Sequence, residues 1–400
     1  MHNYRKQVGI LIAALTIVVF SSARIYGQSP DKVLKLGTVN PRTGPGALFG
    51  DIMVNKCYIP FTAMVNQKGG VLINGERHKV ELIWADDKTT AAGARAAAEE
   101  LIFRDKVQFI FGVLMGTSNL AIAPLTTEQK MITVNGSGAV IVKPEFPYLF
   151  QTTPSVPQRL YAIAAVVKKK YPDFKFKRIA FLGPDDETGI QMYKVAAKMG
   201  NVSGYEVIYN ERHPRGIKDY YSFLTNILNG NPDAIILISS PTDAALIVKQ
   251  ARELDFKGKL LYPSTISDFE SFLRTAGEKA CQGFVSLYDD FNAPDVYPRM
   301  REFQEFTIKV LKRPADELRW GAYMLTEEIL LQALEKANSL ETDKVLKVLR
   351  TSTFDTMLGK VSFEGEKTYG IANRINAPVF VGEIKGRKIE IIGSDTYREP

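Results

Sequence analysis

From Val33 onward the chain alternates short runs rich in β-branched and aromatic residues with longer stretches whose apolar residues recur every three or four positions. The first spacing predicts strands and the second amphipathic helices. In the first part the pattern predicts strands at 33–39, 79–85, 107–113 and 131–135, with helices at 51–67, 90–104 and 118–129 between them. Pro60, inside the first of these helices, is a position where a helix normally breaks. The dense apolar run VQFIFGVL (107–114) suits a strand covered on both faces. Strand and helix in strict alternation indicate βαβ units on a parallel sheet. After the turn-rich QTTPSVP (151–157) the pattern restarts. It predicts a helix at 158–170, strands at 178–182, 206–209, 234–238 and 259–262, and helices at 189–199, 218–228 and 242–254. Beyond Gly283 the order changes to a strand at 283–288, helices at 297–312, 318–337 and 342–350, and antiparallel-style strands at 358–363, 377–384 and 388–392. The fold class is therefore α/β with two domains, which also matches a length of 400 residues.

The first residues lie outside that pattern. MHNYRK is followed by an uncharged apolar run at 8–20 and by small residues at 21–23. This is the grammar of a secretory signal, and about 13 apolar residues fall short of the roughly 20 needed to span a bilayer. We expect residues 1–27 to act as a signal peptide, with cleavage after Ala23 or Gly27 and no lipid anchor, because no cysteine stands at the junction. The mature chain is then exported to the periplasm. Removing residues 1–23 takes away Arg5, Lys6 and no acid, so two of the seven net positive charges belong to the signal. The remaining basic clusters, at 168–170, 212–215 and 385–388, lack the interleaved aromatics of a single-strand nucleic-acid groove, and no nucleic-acid partner is expected. Cys57, Cys281 and three histidines are too few for a Cys/His zinc site, and the cysteines fall in different halves, so free thiols are expected.

Candidate chemistry gathers just after predicted strands. GPGALFGD (44–51) carries glycines at 44, 46 and 50, but neither their spacing nor the distance to Asp86 and Asp87 fits a dinucleotide fingerprint. It reads as a turn that presents Phe49 and backbone amides at the end of the first strand. GVLMGTSN (112–119) ends a buried strand and opens a helix. There, unpaired amides, the helix dipole and the hydroxyls of Thr117 or Ser118 can hold a carboxylate; simple N-capping by either residue is the alternative. NGSGA (135–139) adds small polar groups at the same edge, where open α/β sheets bind ligands. PDDETG (184–189), SSPTD (239–243) and YPSTISD (262–268) hold the equivalent places in the second domain, with capping by Asp185, Ser240 or Asp268 as the alternative. No nucleophile elbow, P-loop or H-E-x-x-H occurs, and His78 and His213 do not sit at strand ends, so no enzyme, metal site or cofactor is expected.

These residues resemble a known family, the type I periplasmic solute-binding proteins of ABC importers in the leucine/isoleucine/valine-binding branch. The likeness runs from Val33 to about Ile392. It is carried by LGTVNPRTGPGALFGD (36–51), NQKGGVLINGERHKVELIWADDKTTAAGA (66–94), FIFGVLMGTSN (109–119), FQTTPS (150–155), KQAREL (249–254), WGAY (320–323) and FDTMLGKVSFEGE (354–366). The resemblance implies a Venus-flytrap fold of two Rossmann-like lobes, 33–153 plus 289–361 and 154–288 plus 362–392, joined by crossings near 152–156, 287–290 and 360–364. It further implies a monomer that captures a small-molecule ligand by hinge closure and hands it to the membrane permease subunits of an importer. A sensory ligand-binding protein is the other reading of the same fold.

By the same resemblance, Leu114, Met115, Gly116 and Thr117 hold the ligand's carboxylate, with Gly116 where a serine is usual. Phe49 covers the side chain, and Asn135, Gly136 and Ser137 add contacts. The second lobe departs from the family pattern. Thr188 and Ser240 stand in place of tyrosines, and Ser264 in place of the acid that pairs with the ligand's ammonium. Asp185, Asp243 and Asp268 are nearby acids, but none aligns with that position. A branched-chain amino acid is thus expected from the family, and an aromatic or aliphatic acid or amide without an ammonium group from Ser264.

Overall fold

The computed structural model describes residues 32–396 apart from 138–140, 186, 215, 267, 289–296, 298 and 314–323, together with the side chains of 156, 187, 188, 191 and 201–203. The signal segment, the WGAY motif, half of the expected second crossing and the start of the helix expected at 318 lie outside the described residues. In the first part the elements are β1 (Lys32–Val39), α1 (Ala47–Met53), α2 (Ile59–Gln67), β2 (Val71–Ile73), β3 (Glu76–Ala85), α3 (Ala91–Glu99), β4 (Phe109–Phe111), α4 (Gly116–Glu128), β5 (Thr133–Asn135) and β6 (Leu149–Gln151). Next come α5 (Val156–Lys170), β7 (Arg178–Pro184), α6 (Glu187–Ser203), β8 (Glu206–His213), α7 (Tyr221–Asn229), β9 (Ala234–Leu237), α8 (Pro241–Glu253), β10 (Lys259–Tyr262), α9 (Phe269–Ala276) and β11 (Val285–Leu287). The chain finishes with α10 (Met300–Lys309), α11 (Leu325–Ala337), α12 (Thr342–Thr351), β12 (Phe354–Thr356), β13 (Gly359–Glu364), α13 (Glu366–Tyr369), β14 (Arg374–Asn376), β15 (Val379–Lys385) and β16 (Lys388–Asp395).

Two sheets result, in the orders β12-β13-β14-β6-β5-β4-β1-β3-β2 and β16-β15-β11-β10-β9-β7-β8. In each, consecutive parallel strands first run one way and then jump back past the starting strand: β1 lies between β3 and β4, and β7 between β8 and β9. The loops on either side of such a reversal diverge to opposite faces, which opens a crevice at the strands' carboxyl ends. Both sheets are covered on both faces. Along β4, Phe109 and Phe111 enter one core with α2 and α11, while Ile110 enters the other with α3 and α4, as the two-residue period of a strand requires. The second sheet is packed likewise between α5 and α6 on one face and α7, α8 and α9 on the other.

Pro60 does not break its helix. A π-helical turn, Val54–Tyr58, precedes it, and the Ile59 amide reaches back five residues to the Val54 carbonyl, so the widened turn absorbs the proline. The cysteines do not pair with each other, as expected: Cys57 belongs to a core of the first sheet and Cys281 to one of the second, and burial pushes both thiols up to about 12. The third crossing differs from the expectation. Residues 360–364 lie in β13, which pairs with β14, and β14 with β6, so the chain stays with the first sheet until Asn376 and passes over at 377–378.

Under the first sheet, α11 carries a buried carboxyl. Glu327 is fully buried, its Oε1 accepts from the Thr62 hydroxyl at 2.6 Å, and its Oε2 has no partner among the described residues. Burial pushes its pKa up to about 8, only partly offset by the Thr62 hydrogen bond. A carboxyl whose folded pKa is raised contributes stability that is fully present below its unfolded pKa and is lost as pH rises through the folded value. Denaturant titrations should therefore show a smaller loss of stability between about pH 5 and about pH 8.5 for Glu327→Gln than for the unaltered chain. Identical pH slopes would show that Glu327 is ionised throughout.

Candidate functional site

The crevice of the first sheet is bounded by the loops after β1 and β4, and its backbone is held by three buried asparagines. Asn40, at the end of β1, donates through Nδ2 to Thr38 Oγ1 (2.8 Å) and the Gly112 carbonyl (2.9 Å), and its Oδ1 accepts from the Leu114 amide (3.3 Å). Asn135 Oδ1 accepts from the Val113 amide at 3.3 Å. Asn119 Nδ2 donates to the carbonyls of Val113 (3.0 Å) and Met115 (2.9 Å). The Tyr58 hydroxyl, beside the π-helical turn, adds a bond to the Gly112 carbonyl at 3.0 Å. A buried turn must place its polar groups somewhere, and here side chains from four separate elements take them.

What this scaffold presents is the start of α4. Met115 occupies the N-cap position in extended backbone (φ −72, ψ 130), and among the described residues its side chain makes no capping bond. The capping alternative for Thr117 and Ser118 is thus not realised. Ser118 is fully buried and donates to Asp87 Oδ2 at 2.6 Å. Thr117 is exposed in the first turn, next to the half-buried Leu114, Met115 and Gly116. First-turn amides without a cap, at the positive end of a helix of 13 residues, can accept an anionic oxygen.

The loop after β1 leans on the same place. A Cβ on Gly46 would lie 2.9 Å from the Met115 methyl, so this loop touches the α4 start. Phe49 stands in the first turn of α1 and is 44% exposed, available to cover a ligand. Asp86 pins the loop: its carboxylate accepts from the amides of Arg42, Thr43 and Lys88 and from the Thr43 hydroxyl. Burial raises the Asp86 pKa, but these bonds outweigh it and hold the carboxyl below its usual range. Asn135 ends β5, Gly136 and Ser137 follow it, and all three are buried at the same edge. The first-sheet candidates are therefore gathered around one crevice. Asn40, Tyr58 and Asn119 were missed, since an isolated asparagine or tyrosine carries no periodic signal, and Asp87 was weighed only against a dinucleotide fingerprint.

The second sheet assigns its candidates differently. Ser240 is the N-cap of α8 and accepts from the Asp243 amide at 3.1 Å, which is the capping alternative. Asp268 likewise caps α9 through the Ser271 amide at 2.9 Å. Ser264 is half-buried after β10, and its carbonyl accepts from the Leu287 amide at 3.0 Å. Thr188 lies in the first turn of α6, its side chain outside the described residues. Asp185 is exposed at the end of β7. Asp243 is the buried acid of this edge, 6% exposed and beside the Tyr220 phenol, whose pKa is raised by burial and by that carboxylate. Tyr262, pushed up to about 12 by burial, donates to the Ser239 carbonyl at 3.0 Å.

Comparison with known proteins agrees with this architecture. A sequence profile of the family described as periplasmic binding protein matches residues 33–388. The leucine-, isoleucine-, valine-, threonine- and alanine-binding protein of Pseudomonas aeruginosa is 22% identical over 91% of this chain and 93% of its own length. Among solved structures, a solute-binding protein of an ABC transporter from Rhodopseudomonas palustris in complex with 3,4-dihydroxybenzoic acid aligns with a TM-score of 0.69 at 22% identity, covering 92% of this chain and 99% of that one. The branched-chain amino acid transporter substrate-binding protein LivJ of Streptococcus pneumoniae, in complex with isoleucine, aligns with a TM-score of 0.68 at 17% identity, over 92% and 99%. With two doubly wound sheets between which the described strands alternate and a profile match spanning nearly the whole described chain, this protein belongs to the periplasmic binding protein family, in its type I fold.

Proposed function

We propose that the chain is the exported substrate-binding component of an ABC importer, a monomer that captures a small carboxylate-bearing solute by closing its lobes and delivers it to membrane permease subunits. The observation that carries this reading is the uncapped start of α4, held at the crevice by Asn40, Asn119 and Asn135. In this reading the amides from Gly116 onward and the Thr117 hydroxyl bind the carboxylate, Leu114 and Met115 line the turn, and Phe49 covers the ligand's apolar part. Asn135, Gly136 and Ser137 close the first-lobe side; Thr188, Ser240 and Ser264 mark the second-lobe side. Export follows from the N-terminal segment. The family is one of solute-binding proteins, and binding without turnover is the proposed role.

Two ligand classes remain in play, each favoured by an observation. The Pseudomonas aeruginosa relative is named for leucine, isoleucine and valine together with threonine and alanine, which supports a branched-chain amino acid, and Asp243 supplies a buried carboxylate for an ammonium. An aromatic or aliphatic acid or amide without an ammonium is favoured by Ser264 and by the uncharged hydroxyls around it. An ammonium buried without a charged partner would cost several kcal/mol, so the two classes should separate cleanly.

Thermal shift followed by calorimetry with leucine, valine, benzoate and 4-hydroxybenzoate should show one class raising Tm through binding linkage. Preference for the amino acids would retire the Ser264 argument, and preference for the aromatic acids would retire Asp243 as an ammonium partner. No response to any carboxylate would end the whole reading. Thr117→Val should weaken the best-binding carboxylate by about 1 kcal/mol, roughly the net worth of one hydrogen bond. Unchanged affinity in that variant would remove Thr117 from the site.

A further inference from the structure

Asn135, Gly136 and Ser137 present three consecutive carbonyls, and each accepts from a side chain of the three consecutive residues through which the chain leaves the first sheet. Thr152 Oγ1 donates to the Asn135 carbonyl (3.1 Å), Thr153 Oγ1 to that of Gly136 (2.7 Å), and Gln151 Nε2 to that of Ser137 (3.1 Å). Gln151 Oε1 also accepts from the Ile141 amide at 3.1 Å, beyond the loop. The candidate ligand loop is thus sewn to the first crossing. All of these residues are buried except Thr153, which is partly so.

Into this seam reaches Arg374, the first residue of β14 on the way to the third crossing and only 1% exposed. Its Nη1 donates to Gln151 Oε1 and its Nη2 to the Thr153 carbonyl, both at 2.6 Å, while Nε lies 3.5 Å from Gln158 Oε1. Gln158 belongs to the capping box that starts α5, and its Nε2 donates to the Ile375 carbonyl at 3.2 Å. Helix α5 packs on β11, β15 and β16, so it belongs to the second sheet. One guanidinium therefore touches the first crossing, the approach to the third, and the helix that begins the other lobe.

We propose that Arg374 is a positioning residue for ligand capture: through Gln151 and Thr153 its guanidinium fastens residues 135–137 to the first and third crossings, so that a solute touching them sets the angle between the lobes. This rests on the proposed capture of a solute at that crevice. Taking a cation out of water is costly, and the cost is offset only when its donors are met by fixed acceptors. Here the acceptors are a side-chain amide oxygen and a carbonyl that themselves belong to the seam, so displacing the loop misplaces the acceptors. A planar fork with donors in fixed directions can bind both at once, which a lysine ammonium cannot reproduce. A ligand shifts the open–closed balance only through contacts that differ between the two states, and the proposal makes the seam the link between the ligand loop and the crossings where the lobes turn.

The test uses the full mature chain carrying Arg374→Lys, which keeps the charge and loses the fork, and Thr153→Val, a milder change that removes one stitch. Amide hydrogen exchange without ligand should rise roughly tenfold at Ile141 and Gln158 in the lysine variant, and less in the valine variant, while core amides at Leu36 and Ile235 keep their protection. Fluorescent labels at the exposed positions 104 and 257 should report a broader interlobe distance distribution. With L-isoleucine and 4-hydroxybenzoate as probes, whichever binds the unaltered chain should bind the lysine variant about tenfold more weakly. Unchanged exchange at Ile141, or an equal rise at Leu36 and Ile235, would overturn the proposal, the second by showing a general support of the fold. If neither probe binds the unaltered chain, the proposed function is at fault, and the exchange and distance measurements still decide the role of Arg374.

Discussion

How close a helix can begin to the end of its strand is the constraint on which the candidate site depends. In the first lobe α1 passes so near β1 that a Cβ on Gly50 would come within 1.8 Å of the Pro41 carbonyl oxygen. In the second lobe the same contact recurs: a Cβ on Gly189, in α6, would lie 1.9 Å from the Pro184 carbonyl oxygen at the end of β7. Both positions follow the strand next to which the sheet order reverses. Only glycine permits that approach, and the approach brings each helix start to the mouth of its crevice. Two lobes of dissimilar sequence thus meet one steric condition in one way, which is what a duplicated architecture demands.

Once helices start that close, the turns between strand and helix are buried and their polar groups must be satisfied inside the protein. The first lobe does this with amide side chains, Asn40, Asn119, Asn135 and Gln151, each able to donate and accept at once. Neutral amides carry little desolvation penalty compared with charges. The second lobe relies instead on hydroxyls and phenols around Asp243. The two edges are therefore chemically unlike, although their strand orders correspond.

The α/β class and most elements were legible because periodicity reports burial, and the long strands and helices have enough residues to show a period. Short strands do not. β14 has three residues and β6 three, too few for alternation, and 377–384 reads as one apolar run although Ala377 and Pro378 form the passage and β15 begins at Val379. The third crossing was misplaced for that reason. At the site, the sequence marked the α4 start through its small residues but could not tell which hydroxyl faced out. Ser118 and Thr117 are equivalent as residue types, and only the position of Asp87, 31 residues away, turns Ser118 inward. The asparagine scaffold was invisible because its members are scattered through turns and share no spacing.

On the proposed reading, the first lobe alone cannot account for selectivity. A helix start contributes about 0.3–1 kcal/mol toward an anion near the surface and about 2 kcal/mol in favourable buried geometry, and it treats any carboxylate alike. Discrimination between solutes must then come from the second lobe, where a buried acid or its absence matters by several kcal/mol, and from apolar cover by residues such as Phe49. Those contacts form only when the lobes approach, so selectivity and closure are one event. A seam that ties the loop of Asn135, Gly136 and Ser137 to the crossings therefore acts on specificity as well as on affinity. Whatever loosens it lets the first lobe hold a carboxylate without bringing the second lobe to judge the rest of the molecule.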